Sequence, residues 1–387
     1  MSETSENKTT PSFEENLKLA LDGIACVNSK PISCFTGTAP GAIIEGMTVA
    51  EVVAEPVRGA SEALKMFARL QEDAGPVRAF NSAPRPMNAV LIITLLWNSR
   101  VLIPGIDLPD DSVWQVKEEE LISREDYDEI MAMGYTNFVQ SRIMPRIVDL
   151  DYMAKYLKIA ADATPEFNAM IQALNIPIFN GVPTTPVPFE QLCGMRSMTQ
   201  FYMDCYKIPE KLKEVSEFVY AERYAQNEAA LEALDNPIAL GGWVGGWRTA
   251  SAMVNPQIWE DLVWPYMKAS AEQVAKHGKI ATMHLDSSWD RDIERFGELP
   301  EGQFILNTDG MTDLPRARRL LPKAALMGDV PPTLLTTGTP QQVSDYVKRL
   351  IDEVGPQGLF ICPGCDTPIN ATYDNLVAMV KTTNEWS

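Results

Sequence analysis

KIATMHLDS (279–287), QFILNTDG (303–310), AALMGDVPP (324–332) and GLFICPGCD (358–366) follow one another in the last third of the chain. Each is a short apolar run that closes on a polar or metal-capable residue and then on Gly, Pro or Ser. The closing residues are His284 and Asp286, then Asp309, then Asp329, then Cys362 and Cys365. A charged amphipathic segment comes after each of the first three runs. The rhythm predicts the strand–helix repeat of a parallel sheet. Polar residues at the carboxyl ends of successive strands predict an α/β fold of the (β/α)8 TIM-barrel kind, whose active site lies on that face.

Working outward, earlier segments supply more strands. GPVRAFNSA is expected to form one that ends near Asn81 and is followed by Pro84, Arg85 and Pro86. IPIFN leads past Asn180 into a proline-rich loop, GVPTTPVP, that cannot be helical. PIALGGWVGGW is expected as the strand before His284, and it brings Trp243, Trp247 and Arg248 to the same face. Between these lie helical stretches. MPRIVDLDYM through IQAL is expected as one helix and MTQFYMDCY through LEALDN as another. NPQIWEDLVWPYMKASAEQVAKHG is expected as a third with one internal proline. GTPQQVSDYVKRLIDEVG carries the clearest boundaries, with Thr339 as N-cap, Pro340 next and Gly355 past the end. At the start, SFEENLKLALDG reads as a helix capped by Ser12, and GMTVAEVV and SEALKMFARLQEDAG read as helices. The barrel therefore carries an N-terminal helical extension. Residues 1–12 are expected as a disordered tail and 13–387 as a single domain.

Composition narrows the function. The chain has 387 residues and a formal net charge of −19, which excludes a nucleic-acid backbone as partner because that needs clustered Lys and Arg. The longest apolar run, Ala89 to Trp97, is too short to cross a bilayer, and the polar N-terminus does not read as a secretory signal. The cysteines form no disulfide framework, so a reducing cytoplasm is expected.

Two histidines are present. His277, in KHGK, reads as a helix-end surface residue. His284 follows the apolar run IATM and should sit at the barrel mouth, with Asp286 two residues on and facing the same way. The C-x-x-C spacing of Cys362 and Cys365 fits a redox pair, half a zinc site or chance. Cys362 lies inside its apolar run, whereas Cys365, past the glycine, is better placed to reach the mouth. With His284 and one oxygen donor it would make an open zinc site. Asp309 and Asp329 are candidate catalytic residues, as a general acid, as an orienter or as a loop cap. Asn81, Arg85, Asn180, Trp243, Trp247 and Arg248 are candidate substrate-binding residues, the tryptophans as walls for a ring-bearing ligand.

HLDSSWDRDIERF, the NTDG strand end, MGDVPPTLLTTGTPQQV and GLFICPGCDTPINATYDNLVAM together resemble the uroporphyrinogen decarboxylase superfamily. GMTVAEVV, LPDDSVWQV and FNGVPTTPVPFEQLCGMRS…DCYKIPEKL extend the resemblance over nearly the whole chain after residue 12. The resemblance implies a (β/α)8 barrel. True decarboxylases of the family carry an arginine-rich motif after the first strand, where this chain has FNSAPRP with Arg85 alone. The chain looks more like the corrinoid-dependent methyltransferase branch. The zinc-dependent members of that branch use a His-x-Cys pair and a Cys in a later Gly-Cys turn. That pattern maps onto His284 and Cys365, with Asp286 in place of the middle Cys. The resemblance thus implies Zn²⁺ held by His284, Asp286 and Cys365, a harder site suited to polarising an ether oxygen.

The expectation is a methyltransferase that moves a methyl group from a small methoxylated donor, an aryl methyl ether foremost, to the cobalt of a cobalamin. No D-x-H-x-x-G run is present, so the cobalamin would arrive on a separate corrinoid protein. A homodimer is expected by analogy with the superfamily. Two other readings stand beside it: a uroporphyrinogen-decarboxylase-like lyase acting on an acidic substrate without metal, and a non-catalytic barrel that binds a ligand or a corrinoid protein.

Overall fold

The computed structural model describes residues 11–386. Nine strands are formed among the described residues: β1 Ile32–Thr36, β2 Ala79–Ser82, β3 Arg100–Leu102, β4 Gln115–Lys117, β5 Gly241–Gly246, β6 Ile280–Leu285, β7 Phe304–Thr308, β8 Ala325–Val330 and β9 Leu359–Pro363. Seven of them make a curled parallel sheet in the order β2-β1-β9-β8-β7-β6-β5, while β3 and β4 pair as a separate antiparallel hairpin. The four decisive runs of the sequence are β6 to β9, as their periodicity predicted.

The closed eight-stranded barrel is corrected. Where an eighth strand would join β2 to β5, IPIFNG forms no regular strand. Ile178 alone makes parallel bridges, to Phe80 on one side and Ala239 on the other. Phe179 N–H and Asn180 N–H donate to Phe80 O and Asn81 O at 2.8 and 2.9 Å. The segment then turns into the proline-rich loop, which removes the donors a longer ladder needs. β1, ISCFT, was not anticipated.

The helices follow local chemistry closely. Ser12 caps Phe13–Ile24 in a reciprocal capping box with Glu15, so residue 12 belongs to the fold. Residues 1–10 of the expected disordered tail lie outside the described residues. Thr339 and Gln342 form the same device at Pro340–Val354. The three long helical expectations divide at places with physical causes. Val148 is extended and Asp149 caps Leu150–Ala173 by accepting from Tyr152 N–H. Pro209 starts a new helix after Met198–Lys207. Pro265, which has no N–H and whose ring blocks the preceding turn, separates Pro256–Leu262 from Trp264–Lys276.

Strand alternation sorts side chains into two sets. Leu306, Met283, Leu285, Leu326 and Ile361 face the helical layer. Ile32, Cys34, Ala79, Ile280, Ile305, Met327, Phe360 and Cys362 face inward and pack with Phe179. Ala20 and Ile24 of the first helix join this inner cluster and cover its lower end. A Cβ on Gly23 would come within 2.5 Å of Ile32 Cδ1 and 2.7 Å of Phe360 Cζ, so glycine is what lets the helix approach.

Candidate metal centre

The inward positions change character toward the carboxyl ends of the strands. On β6 they read Ile280, Thr282, His284; on β7, Ile305, Asn307; on β2, Ala79, Asn81. His284 is the last inward residue of β6 and is in register with Asn307 of β7 and Gly245 of β5. Asp286 follows just past the strand. Its turn is held by Trp289 Nε1, which donates to Asp286 O at 2.8 Å, and by Ser287 N, which donates to Asp309 Oδ2 at 2.7 Å. Cys365 follows β9 through Pro363 and Gly364. Gly364 N donates to Val330 O at 2.9 Å, and a Cβ there would sit 2.7 Å from Asp309 O. The glycine thus allows the close passage that swings the Cys365 thiol over the mouth.

These turns bring the three expected ligands together. Cys365 Sγ lies 3.4 Å from His284 Nε2, and Asp286 Oδ1 lies 3.3 Å from the same nitrogen. One ligand atom from each falls within 4.8 Å of the others, and among the described residues no other group of three His, Cys, Asp or Glu does so. A tetrahedral zinc with Zn–N near 2.05 Å, Zn–S near 2.3 Å and Zn–O near 2.1 Å would separate N from S by about 3.6 Å and N from O by about 3.4 Å. The donor set and spacing therefore fit zinc with a fourth position open. The His284 and Asp286 side chains are 12% and 26% exposed, so the group opens on solvent.

The other ring nitrogen is fixed from below. His284 Nδ1 lies 2.7 Å from Asn307 Oδ1, which also accepts from Asn81 Nδ2 at 3.3 Å. Asn307 Nδ2 reaches Met327 O at 3.5 Å, which supports this amide orientation. Nδ1 is then the donor, so Nε2 is the nitrogen that faces Asp286 and Cys365 and that would offer its lone pair to a bound metal. Asn81 Oδ1 in turn accepts from Asn180 Nδ2 at 2.7 Å. Arg85, exposed at the rim, donates from its guanidinium to Asn180 O. Burial presses the His284 pKa down, but the Asp286 and Cys365 charges outweigh it and hold it well above the usual value. Burial pushes Asp286 up, and His284 reverses this to leave it lowered; for Cys365 burial wins and the thiol is raised.

Asn307, buried and central to this chain, was missed by sequence reading. Its signal was available: it stands two residues before Asp309 on an alternating strand, and the inward face passes through it. Asp309 and Asp329, each expected as a general acid, an orienter or a loop cap, both accept hydrogen bonds. Both Asp309 oxygens accept backbone N–H groups, Oδ2 from Ser287 and Oδ1 from Met311 at 2.9 Å, so its role is the loop cap. Asp329 is buried and accepts from Tyr346 of the helical layer at 2.7 Å; burial raises its pKa.

Arg248 does not line the mouth. It is fully buried, 3.4 Å from Glu118 Oε1 and 3.8 Å from Glu190 Oε2, and stacks on Trp247 at 4.3 Å. Trp243 does stand beside the group, its ring centroid 5.7 Å from that of His284. Cys362 is buried in the inner apolar cluster, and His277 caps its helix near Glu228 at 3.1 Å.

No helix among the described residues is long and apolar enough to cross a membrane. A methyltransferase from Methanosarcina mazei superposes with a TM-score of 0.68 at 15% identity, over 97% of this chain and 98% of that one. At that identity the likeness is one of fold. No curated protein sequence matches the chain. The family model for uroporphyrinogen decarboxylase (URO-D) matches residues 180–386. That match takes in β5 to β9, His284, Asp286 and Cys365, and more than half of the sequence, so the chain belongs to the uroporphyrinogen decarboxylase family.

Proposed function

We propose that this protein transfers a methyl group from a small methoxylated donor to the cobalt of a corrinoid carried by a separate protein. The observation that carries the reading is the arrangement at His284. Its Nε2 faces Cys365 Sγ at 3.4 Å and Asp286 Oδ1 at 3.3 Å, with Nδ1 tied to Asn307. His284, Asp286 and Cys365 would hold zinc. When bound, zinc supplies a Lewis acid for the donor's ether oxygen. In the transfer the carbon–oxygen bond breaks with its electron pair left on oxygen, and the pair on Co(I) of the partner forms the new bond to carbon. The oxygen then gains a proton from water at the open mouth. The protein's part is positioning and stabilisation of the leaving oxygen. Asn307 keeps the imidazole in one tautomer, Trp243 walls the mouth, and Asp309 holds the loop that carries Asp286.

A second reading rests on the same 3.3 Å contact between His284 and Asp286. Without metal, it describes an imidazolium–carboxylate pair, which would suit a metal-free lyase that protonates a decarboxylated substrate. Metal content separates the two. About one zinc per chain in the wild type, lost in Cys365→Ser, is expected from three protein ligands and one open position. Zinc-loaded protein should then methylate a reduced corrinoid protein from a methoxylated donor. Metal-free wild type, purified without chelators, would sink the zinc reading and leave the lyase.

A further inference from the structure

Trp243, which stands beside His284, also lines a cavity of about 480 Å³, within the range that holds small-molecule ligands. Leu91, Ile92 and Leu95 of helix Ala89–Trp97, Leu157 of Leu150–Ala173 and Pro183 form much of its wall, and Trp243 lines it too. Ile92, Leu95 and Leu157 are 38%, 38% and 44% exposed, so the wall is an apolar surface left open to solvent. Trp243 is shared: it borders this cavity and stands 5.7 Å, ring to ring, from His284.

Arg223 is the only charged side chain among the residues that line the cavity. Its Nη1 donates to Gln226 Oε1 at 3.1 Å, and its Nε is buried without a partner. Among the described residues no carboxylate forms an ion pair with it. Arg124 and Arg196 are paired with Asp204, and Arg248 with Glu118. Arg78 and Arg318, which have no ion pair among the described residues, donate to Asn16 Oδ1 and to the Ala324 and Gln357 carbonyls instead. A guanidinium held against an apolar wall with an unmet donor is costly unless an anion completes it. The chain as a whole carries −19, so this local cation is the feature that would admit an anionic ligand.

We infer that the cavity binds the body of the methyl donor, and that the donor is a methoxylated aromatic carboxylate. The ring lies against Trp243 and the aliphatic wall, the carboxylate pairs with Arg223, and the methoxy group points past Trp243 toward His284. This rests on the methyl-transfer reading for the identity of the methoxy group, but the cavity and its charge preference are tested separately.

The test is calorimetric binding of 4-methoxybenzoate, benzoate and methoxybenzene to Cys365→Ser protein, where a carboxylate has no intact metal group to coordinate. Both carboxylates should bind, with methoxybenzene at least about tenfold weaker, the least expected from a charge-assisted hydrogen bond. Arg223→Gln should weaken 4-methoxybenzoate by about ten- to hundredfold and leave methoxybenzene unchanged, which also shows that the variant is folded. Arg223→Lys should recover part of the loss. Ala160→Trp, which fills the cavity from its exposed side, should abolish binding of all three. Equal affinity in Arg223→Gln overturns the carboxylate, and unchanged binding in Ala160→Trp overturns the cavity. No binding of any probe overturns both. If the wild type binds 4-methoxybenzoate but does not demethylate it, the methyl-transfer reading fails alone. If transfer occurs from another donor that the cavity does not bind, this inference fails alone.

Discussion

The lower and upper halves of the barrel interior are built from the same strands, yet they do opposite work. Below, Ile32, Ile280, Ile305, Met327 and Phe360 pack with Phe179 in a buried layer of apolar side chains. Further along the inner face, Asn81 of β2, Asn307 of β7 and His284 of β6 form a chain of hydrogen bonds that leads to Asp286 and Cys365. The lower layer gains from excluding water. The upper layer gains nothing from that and needs every polar group paired, or paired by a ligand. Position along a strand, rather than the strand itself, separates stability from chemistry.

The largest effect should come from breaking the lower half. Phe360 is fully buried and meets Phe179 edge-on at 5.2 Å. Phe360→Ala should cost about 3–5 kcal/mol in urea unfolding while zinc per folded chain stays at the wild-type level. Loss of zinc from protein that remains folded would show that the two halves are not independent.

A buried charge outside the mouth gives the next effect. Glu190 accepts from Thr249 N and Oγ1, both at 2.9 Å. Burial pushes its pKa up to about 7, against the pull of Arg248. The unfolded value is near 4.3. Between the two the folded state binds the extra proton, so this group's stability contribution is present at low pH and is lost as pH rises from about 4.5 to 7. The loss is at most roughly 4 kcal/mol, at about 1.4 kcal/mol per pH unit. Glu190→Gln should remove that slope from melting temperatures taken between pH 5 and 8. An unchanged slope would assign the pH dependence to other groups.

The upper half can be weakened without unfolding the lower. Asn307→Leu keeps the branched shape of the side chain and removes the acceptor that fixes His284 Nδ1. Zinc affinity, read by competition with a chelator, should fall about ten- to hundredfold. Unchanged affinity would mean that the imidazole is oriented by the metal group alone.

The same contrast explains what could be read from the sequence. β6 to β9 were legible because four short apolar runs in succession end abruptly on His284, Asp309, Asp329 and Cys365. The three candidate ligands, which the structure brings within reach of one another, were legible because each sits at or just past such an end. β1 escaped because ISCFT is five residues long, with Ser, Cys and Thr among its positions and no strong flanking signal. The missing eighth strand escaped because IPIFN has the pattern of a strand, while its pairing fails only at the prolines beyond. Arg248 was misread for a related reason. Its place after a glycine-rich strand suggested the mouth, but its charge is answered inside by Glu118 and Glu190, and such pairing across distant segments leaves no local trace.

Cys362 and Cys365 place the comparison within three residues. Cys362 is the last cysteine of the lower layer. The register of β1 with β9, Ser33 opposite Ile361, puts it beside Cys34, and burial with that neighbour holds its thiol well above the ordinary value. It behaves as a small apolar side chain. Cys365 is half-buried and faces His284. Cys362→Ser puts a hydroxyl into the apolar layer, where the Cys34 thiol is a weak partner, and should cost about 1–2 kcal/mol with zinc content unchanged. Cys365→Ser should shift stability by less than about 0.5 kcal/mol in metal-free protein and abolish zinc binding. If instead Cys362→Ser lost the metal and Cys365→Ser lost the stability, the boundary between packing and chemistry would lie one layer lower than the strand ends place it.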